Sequence, residues 1–414
     1  MNDQDYYAIV EVQLEALPEV LVVPQGAHGL GVVVRSRGLP VGFLLIGASS
    51  GTHLDARRAV REGIANGAVG WQLAEGIPVP QGGGPDVEIA ICTRNRPQHL
   101  SRLLENLSAQ AWVRKEEKGA PLVRGITVVD NAPPDDRAYQ VVRKFPSVTY
   151  VREPKQGLNF ARNRAVEVAE AEFVAFIDDD AIPDKAWYYG LGLAWSECKD
   201  AAGYTGVILP YRLSAPAQVL FEGAGGMSRH FRRICAKASE LTRSLAVLQY
   251  LGAGANMVIR RSVWRELGGF DPALDSPSIP GGGDHDFIYR ALRKGYPWVY
   301  EPRMAVYHEH RLDERSLRRQ MYFWGLGYTA LATKSIVLDG AMRWLWARQL
   351  AMYLMRRVAW IALATLGLRK FPWKPGLTVQ ELRGAVEGLC GAYWRACRSA
   401  RQVLEHSLMS SVAH

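Results

Sequence analysis

Short apolar runs separated by turn residues open the chain. Tyr7–Leu14, Val20–Val23, Gly31–Val34 and Val41–Ile46 read as strands, and Ser36-Arg37-Gly38 between the last two reads as a hairpin turn. Asp55 is placed to cap a helix running to about Ala65. The pattern predicts a small α+β domain over residues 1–77. The run Pro78-Val79-Pro80-Gln81-Gly82-Gly83-Gly84-Pro85 then reads as a linker over 78–85.

A different rhythm follows. Val87–Cys92, Ile126–Val129, Val148–Val151 and Phe173–Ile177 are short, nearly continuous apolar runs. Leu100–Leu107, Ala138–Phe145 and Leu158–Ala169, which alternate with them, have helical spacing. Strand–helix alternation of this kind builds a mostly parallel sheet covered on both faces, a Rossmann-like α/β domain. Downstream, Ala255–Ile259 and Trp298–Tyr300 read as strands, and Ser262–Leu267 and Asp286–Lys294 as helices. The α/β domain is expected over residues 86–311.

Charge singles out the remainder, residues 312–414. Residues 311–414 carry 16 Lys/Arg against 6 Asp/Glu, whereas residues 1–84 carry 5 against 8. Six of the twelve tryptophans also fall there: Trp324, Trp344, Trp346, Trp360, Trp373 and Trp394. A helical, basic, Trp-rich region suits an anionic membrane surface. No nucleic-acid motif accompanies the charge, so no nucleic-acid partner is expected. The most apolar stretch, Leu345–Leu368, is interrupted by Arg348, Arg356 and Arg357. Uninterrupted, it is shorter than the roughly 20 residues a spanning helix needs, and it reads as an amphipathic helix. Five scattered cysteines with no CxxC spacing, and no signal-peptide pattern, lead us to expect reduced thiols in the cytoplasm, with the tail peripheral on the inner membrane face.

The sharpest chemical feature is Asp178-Asp179-Asp180, at the end of the apolar run Phe173–Ile177. Three adjacent carboxylates repel one another, and a divalent cation held by their oxygens would offset that; a solvated acidic turn before Pro183 is the alternative. If the strand stays extended, Asp178 and Asp180 face one way and Asp179 the other. Strand ends are where open α/β sheets bind ligands. Thr93-Arg94-Asn95-Arg96 follows the first strand and suits an anionic ligand or is a basic loop. Asp130 ends the next strand, where it could accept from a ribose hydroxyl or a base N–H, or cap a turn. Arg162 lies in the first turns of the helix after Gly157, suited to phosphate or nucleobase. Asp284 and Asp286 follow three glycines and serve either as first-turn helix carboxylates or, for Asp284, as a general base. His308 and His310 could share one site, or one could ligate a metal.

Taken in order, these pieces resemble glycosyltransferase family 2 on the GT-A fold. Ile89–Arg96 is similar to the family's first strand and loop, and Val128-Val129-Asp130-Asn131 to its nucleotide-contacting strand end. Gly157–Asn163 resembles the Gly-x-x-x-Ala-Arg-Asn helix start, Phe176–Asp180 the Asp-x-Asp metal motif, and Gly252–Met257 an acceptor-side loop. Gly282–Phe287 resembles the Gly-Glu-Asp-x-Asp-Phe element, whose first Asp is the usual base. The resemblance covers about residues 86–311. Two positions depart from it: Gly283 stands where the family usually has Glu, and Asn95 or Arg96 where it often has an aromatic.

The resemblance implies an inverting transfer of a hexosyl or N-acetylhexosaminyl group from a nucleotide sugar, UDP-linked, to an acceptor hydroxyl. Mn²⁺ or Mg²⁺ would be held by Asp178 and Asp180 with His308 as a third ligand. Thr93, Arg94, Asn95, Asp130, Arg162, Asp178 and Asp179 would contact the donor, and Asp284 would be the base. The acceptor could be a carbohydrate, a lipid-linked sugar, a peptide or a small molecule. The rival readings are a degenerate, non-catalytic scaffold, to which Gly283 lends support, and a sugar nucleotidyltransferase. The latter lacks its glycine-rich loop here.

Overall fold

The computed structural model describes residues 6–70, 84–114, 123–227, 230–368 and 374–412. All but the last two residues of the expected linker fall outside them.

Near the N-terminus, β1 (Ala8–Gln13), β3 (Gly29–Ser36) and β4 (Leu39–Gly47) form a three-stranded sheet, while β2 (Val20–Val22) pairs with β5 (His53–Asp55). The β3–β4 turn places Arg37 at φ 48° and Gly38 at φ 82°, the two left-handed residues that match a tight hairpin to strand twist. Asp55 accepts from the Arg58 amide (2.9 Å) and caps the helix Ala56–Asn66. Arg35, only 1 % exposed, reaches from β3 to Glu11, Asp184 and Tyr307. A buried guanidinium thus ties these strands to the edge of the larger sheet.

That larger sheet has nine strands. Eight run in the order β10-β14-β11-β13-β9-β6-β7-β8, and β12 (Ile234–Ala236) joins at β14. Here β6 is Val87–Thr93, β7 Val123–Asn131, β8 Val148–Glu153, β9 Phe173–Ile177, β10 Ala181–Pro183, β11 Gly203–Pro210, β13 Asn256–Arg260 and β14 Trp298–His308. The block β9-β6-β7-β8 is parallel, as is β11 with β14, while β13 runs antiparallel between the two. Alternation along β9 shows why the run is apolar throughout. Phe173, Ala175 and Ile177 enter one core with Leu100 and Leu104 of the helix Pro97–Ala109. Val174 and Phe176 enter the other with Ala161 and Ala165 of the helix Leu158–Val168. The sequence places a strand at Trp298–Tyr300; the observed one continues to His308. Pro302 cannot donate to a ladder, and the β11–β14 register shifts between Gly206 and Ile208 to pass it.

Among the described C-terminal residues are four α-helices, Glu314–Leu338, Arg343–Thr365, Pro375–Glu387 and Tyr393–Val412, the last two joined through a π-helical turn, Gly388–Ala392. The first and third approach closely because small residues line the contact: a Cβ on Gly325 would strike the Glu381 carbonyl, and one on Gly384 the Tyr322 carbonyl. The bundle is fastened to the α/β domain by charge. Lys334 donates to Asp271 (2.7 Å) and to the fully buried Asp286 (2.6 Å), and Tyr393 donates to Asp271 (2.8 Å). Asp286 also pairs with Arg290 (2.7 Å). Replacing Lys334 with Ala leaves two largely buried carboxylates short of their shared cation, and we expect a loss of about 3 kcal/mol. Urea unfolding of the full chain measures it; a change below about 1 kcal/mol would mean that the cluster does not hold the bundle.

Candidate active site

The acidic segment is a turn rather than a strand end. The chain leaves β9 at Ile177, the Ala181 amide donates to the Asp178 carbonyl (2.9 Å), and β10 begins at once. β10 runs antiparallel to the end of β14 with Ala181 opposite His308. This register sets His308 beside the turn. Ligand atoms of Asp178, Asp180 and His308 lie within 4.8 Å of one another, and His308 Nε2 is 3.1 Å from Asp180 Oδ1. The turn, not strand pleating, sends Asp179 the other way. Asp179 is no bystander: it is buried, accepts from the Thr93 hydroxyl (2.7 Å) and pairs with Arg96 (2.9 Å). Arg96 also reaches Asp180 (2.8 Å). The sequence offered Arg96 for an anionic ligand or as part of a basic loop; here it supplies positive charge to two of the three aspartates.

Electrostatics separate the triad. Burial raises the Asp179 carboxyl to about 6, against the pull of Arg96. Burial also works to raise Asp180, but His308 and Arg96 outweigh it and hold the group below the usual carboxylate range. His308 mirrors this: burial opposes its charge, and Asp180 lifts it above the ordinary imidazole value. Two carboxylates and an imidazole are a donor set suited to Mn²⁺ or Mg²⁺. The buried Nδ1 of His308 has no hydrogen-bond partner among the described residues, which fits a side chain with ligating capacity to spare. His310 does not share this site. It pairs with Glu222 (2.7 Å) in a separate buried contact, because alternate residues of this segment are claimed by different neighbours.

Asp284 sits in the first turn of the helix Gly283–Arg293, which begins three residues before the expected start. Its Oδ2 accepts from the Gly254 amide (2.8 Å) and its Oδ1 from the His285 amide (2.7 Å). Burial pushes this carboxyl up, but His285, Arg162 and the Gly254 N–H outweigh it, so the group stays ionised well below neutrality. Arg162, 4 % exposed, pairs with Asp275 (2.7 Å). Burial and the neighbouring Asp284 raise Asp275 to about 6, against the pull of Arg162. Asp275 carries a left-handed backbone (φ 49°) and gave no signal in the sequence. Its position explains Gly283: a Cβ there would stand 2.5 Å from Asp275 Oδ2 and closer still to the Asn159 amide. Asp275 fills the space a larger residue at 283 would need.

At the other strand ends, Thr93 and Asp130 face one another in the β6–β7 register. Asp130 is buried and accepts from the Tyr150 hydroxyl (2.9 Å). Arg94 and Asn95 are exposed, with Asn95 at φ 59°. A cavity of about 690 Å³ gathers Arg96, Arg162, Asp178, Asp275, Asp284 and His308. Thr93, Arg94, Asn95, Asp130, Asp179 and Asp180 lie outside its lining. Much of the remaining wall comes from Glu314–Leu338 and Arg343–Thr365. The sequence reading set this region apart as a membrane element and missed that it encloses the site. The available signal was the helical spacing of Gln320, Trp324, Gly327, Tyr328 and Leu331.

Comparison with known proteins agrees with this architecture. The model of glycosyl transferase family 2 matches residues 88–211, and that of glycosyl transferase family group 2 matches residues 173–378. A mannosyltransferase from Pyrobaculum calidifontis, solved with GDP-Man and Mn²⁺, superposes with a TM-score of 0.51 at 19 % identity, over 76 % of this chain and 90 % of that one. The fold is therefore the α/β GT-A fold, continued by a helical C-terminal region. The chain belongs to glycosyltransferase family 2. Among curated relatives, a pre-mycofactocin glycosyltransferase of Mycobacterium tuberculosis is 26 % identical over 315 residues, covering 72 % of this chain and 61 % of the relative. A glucosyl-dolichyl phosphate glucuronosyltransferase of Haloferax volcanii is 23 % identical over 188 residues, covering 45 % of this chain and 56 % of the relative. The chain thus spans about three fifths of the length of the curated relatives it matches.

Proposed function

We propose that this chain moves a hexosyl or N-acetylhexosaminyl group from a UDP-sugar to an acceptor hydroxyl, with inversion at the anomeric carbon. The observation that carries the reading is one cavity holding an ionised carboxylate, Asp284, together with Asp178 and His308 of the acidic cluster. Asp284 takes the acceptor's hydroxyl proton as its oxygen bonds to the anomeric carbon. The bond from that carbon to the diphosphate oxygen breaks, and its electron pair leaves on UDP. One displacement inverts the carbon and needs no enzyme nucleophile. Asp178, Asp180 and His308 would hold Mn²⁺ or Mg²⁺, which when bound neutralises charge developing on the leaving diphosphate. Thr93 and Asp130, at adjacent strand ends, mark the nucleotide side, with Arg94 and Asn95 on the exposed loop beside them. Asp179 braces this region through Thr93 and Arg96, and Arg162 directs positive charge between Asp178 and Asp284.

A scaffold role rested on Gly283, and the close approach of Asp275 gives that glycine a steric reason instead. Incubation with UDP-sugars and Mn²⁺ without acceptor tests the reading: slow release of UDP supports it. No release and no thermal stabilisation by any nucleotide sugar would favour the scaffold.

The proposal includes a peripheral site of action on the cytoplasmic membrane face. Among the described residues no helix is long and apolar enough to cross a membrane. The helix Arg343–Thr365 buries Trp346, Gln349, Leu350 and Tyr353 and exposes Trp344 (83 %), Met355 and Val358, with Arg348 and Arg356 also exposed. An apolar face with basic flanks complements anionic lipid. Arg357 takes no part, since it pairs with Glu381 (2.8 Å). Replacing Arg348 and Arg356 with Gln should weaken the affinity for phosphatidylglycerol vesicles, read by sedimentation, by roughly thirtyfold, at about 1 kcal/mol per basic residue. Unchanged sedimentation would remove the membrane from the account.

A further inference from the structure

The cavity changes character along its length. Among the described residues, Asp178, Asp275 and Asp284 are the only carboxylate residues in its lining, and all stand at the end that carries the chemistry. The helix Glu314–Leu338 presents one continuous face to it. Ser316, Arg319 and Gln320 come first, then Phe323, Trp324, Tyr328 and Leu331 at three- and four-residue intervals. Leu245, Leu248 and Tyr250, from the turn of 3-10 helix Leu245–Tyr250, face the same space, and Trp346 belongs to the wall from the next helix. Along the helix Glu314–Leu338 the wall thus passes from polar residues to aromatic and aliphatic ones, while His230, Gln249 and Gln349 add isolated polar groups from other segments.

This face is held in register with Asp284. Gly327 lies on it, and a Cβ there would stand 2.8 Å from the Gly281 carbonyl carbon; a Cβ on Gly282 (φ +91°) would stand 2.9 Å from the Gly327 carbonyl oxygen. The loop that begins the Asp284 helix therefore rests directly on the backbone of the helix that lines the apolar part. At about 690 Å³ the cavity has the size of sites that enclose small organic ligands, which are mostly apolar with a few placed polar groups. A polyhydroxylated body needs hydrogen-bonding partners all round, and a wall of Phe, Trp, Tyr and Leu side chains gives it few.

We propose that the apolar part of the cavity is the acceptor subsite, and that it takes an acceptor whose reactive hydroxyl is borne on an aromatic or aliphatic body. This rests on the reading of Asp284 as the base, since it is the position of that carboxylate that orients the acceptor. The body lies along Phe323, Trp324, Tyr328 and Leu331, with its hydroxyl toward Asp284. Two sources of apolar body share this chemistry, a flat aryl group and an alkyl chain of a lipid, and a matched set of probes separates them.

The test is equilibrium binding of methyl, phenyl and octyl β-D-glucopyranoside to the full chain with UDP and Mn²⁺, each below its aggregation limit. Phenyl or octyl glucoside should bind at least tenfold more tightly than methyl glucoside. Preference for phenyl identifies an aryl body, and preference for octyl an alkyl one. Trp324→Ala, and separately Phe323→Ser, should remove most of that advantage. Both variants should keep the circular-dichroism spectrum and the affinity for UDP with Mn²⁺ of the unaltered chain, which reports that they fold. Equal affinity for the three glucosides, or an advantage that survives both substitutions, overturns the proposal. Loss of UDP-sugar turnover in the unaltered chain would instead overturn the reading of the active site.

Discussion

With Asp284 replaced by Asn, kcat should fall by about 10³-fold, within the range for loss of a general base, while UDP binding in Mn²⁺ is retained. Asn keeps the shape and can still accept from the Gly254 amide, the contact that now holds Asp284 Oδ2 at 2.8 Å. It cannot take a proton from an acceptor. A matched fall in kcat and kcat/KM, with donor affinity intact, identifies an interaction made in the transition state. Loss of UDP binding instead would mean that Asp284 shapes the loop and the cavity, and that the base lies elsewhere. Asp275 also stands beside Asp284, but its pairing with Arg162 makes it a poor substitute.

The second large effect concerns the acidic turn, where the three aspartates should not respond alike. Asp180→Asn should lower kcat by about 10³-fold or more, because it removes one of the two carboxylates expected to hold the cation, and such charge stabilisation amounts to several kcal/mol. Asp178→Asn should cost less than Asp180→Asn, since that carboxylate has Arg162 and His308 nearby to organise the same region. Asp179→Asn should act mainly on stability. It weakens the buried contacts to Thr93 and Arg96, at about 1–2 kcal/mol for buried bonds of this kind, and turnover should fall about tenfold through the displaced Arg96. Equal losses at all three positions would refute this division. Kinetics and urea unfolding on the three variants decide it.

The sequence made the parallel half of the sheet legible because its strands are buried on both faces and its helices show a clean period. It revealed Asp178, Asp180 and Asp284 because three adjacent carboxylates closing an apolar run, and a carboxylate after three glycines, follow one another in the order of the family's motifs. What it hid depended on tertiary pairing. His308 was expected beside Asp178 and Asp180 from the resemblance alone; what brings it there, the pairing of β10 with the end of β14, was hidden, since a strand passing through Pro302 breaks the usual signal. His310, two residues on, is drawn off by Glu222. Asp275 lies in an irregular loop with no period to reveal it. The helix Glu314–Leu338 was legible only as part of a helical region, and its face toward the cavity carries a glycine and polar residues among the aromatics, a mixture that concealed its role as a wall. Arg357, read as part of a basic surface, is committed to Glu381.

The central claim is that this site couples a cation held by the acidic turn to sugar transfer from a nucleotide donor. Release of UDP from UDP-sugars, measured before and after exhaustive chelation and again after Mn²⁺ is restored, tests it most directly. The account predicts turnover that vanishes with chelator, returns with Mn²⁺ in the unaltered chain, and fails to return in Asp180→Asn. Full turnover in chelator, or equal recovery in that variant, would contradict it.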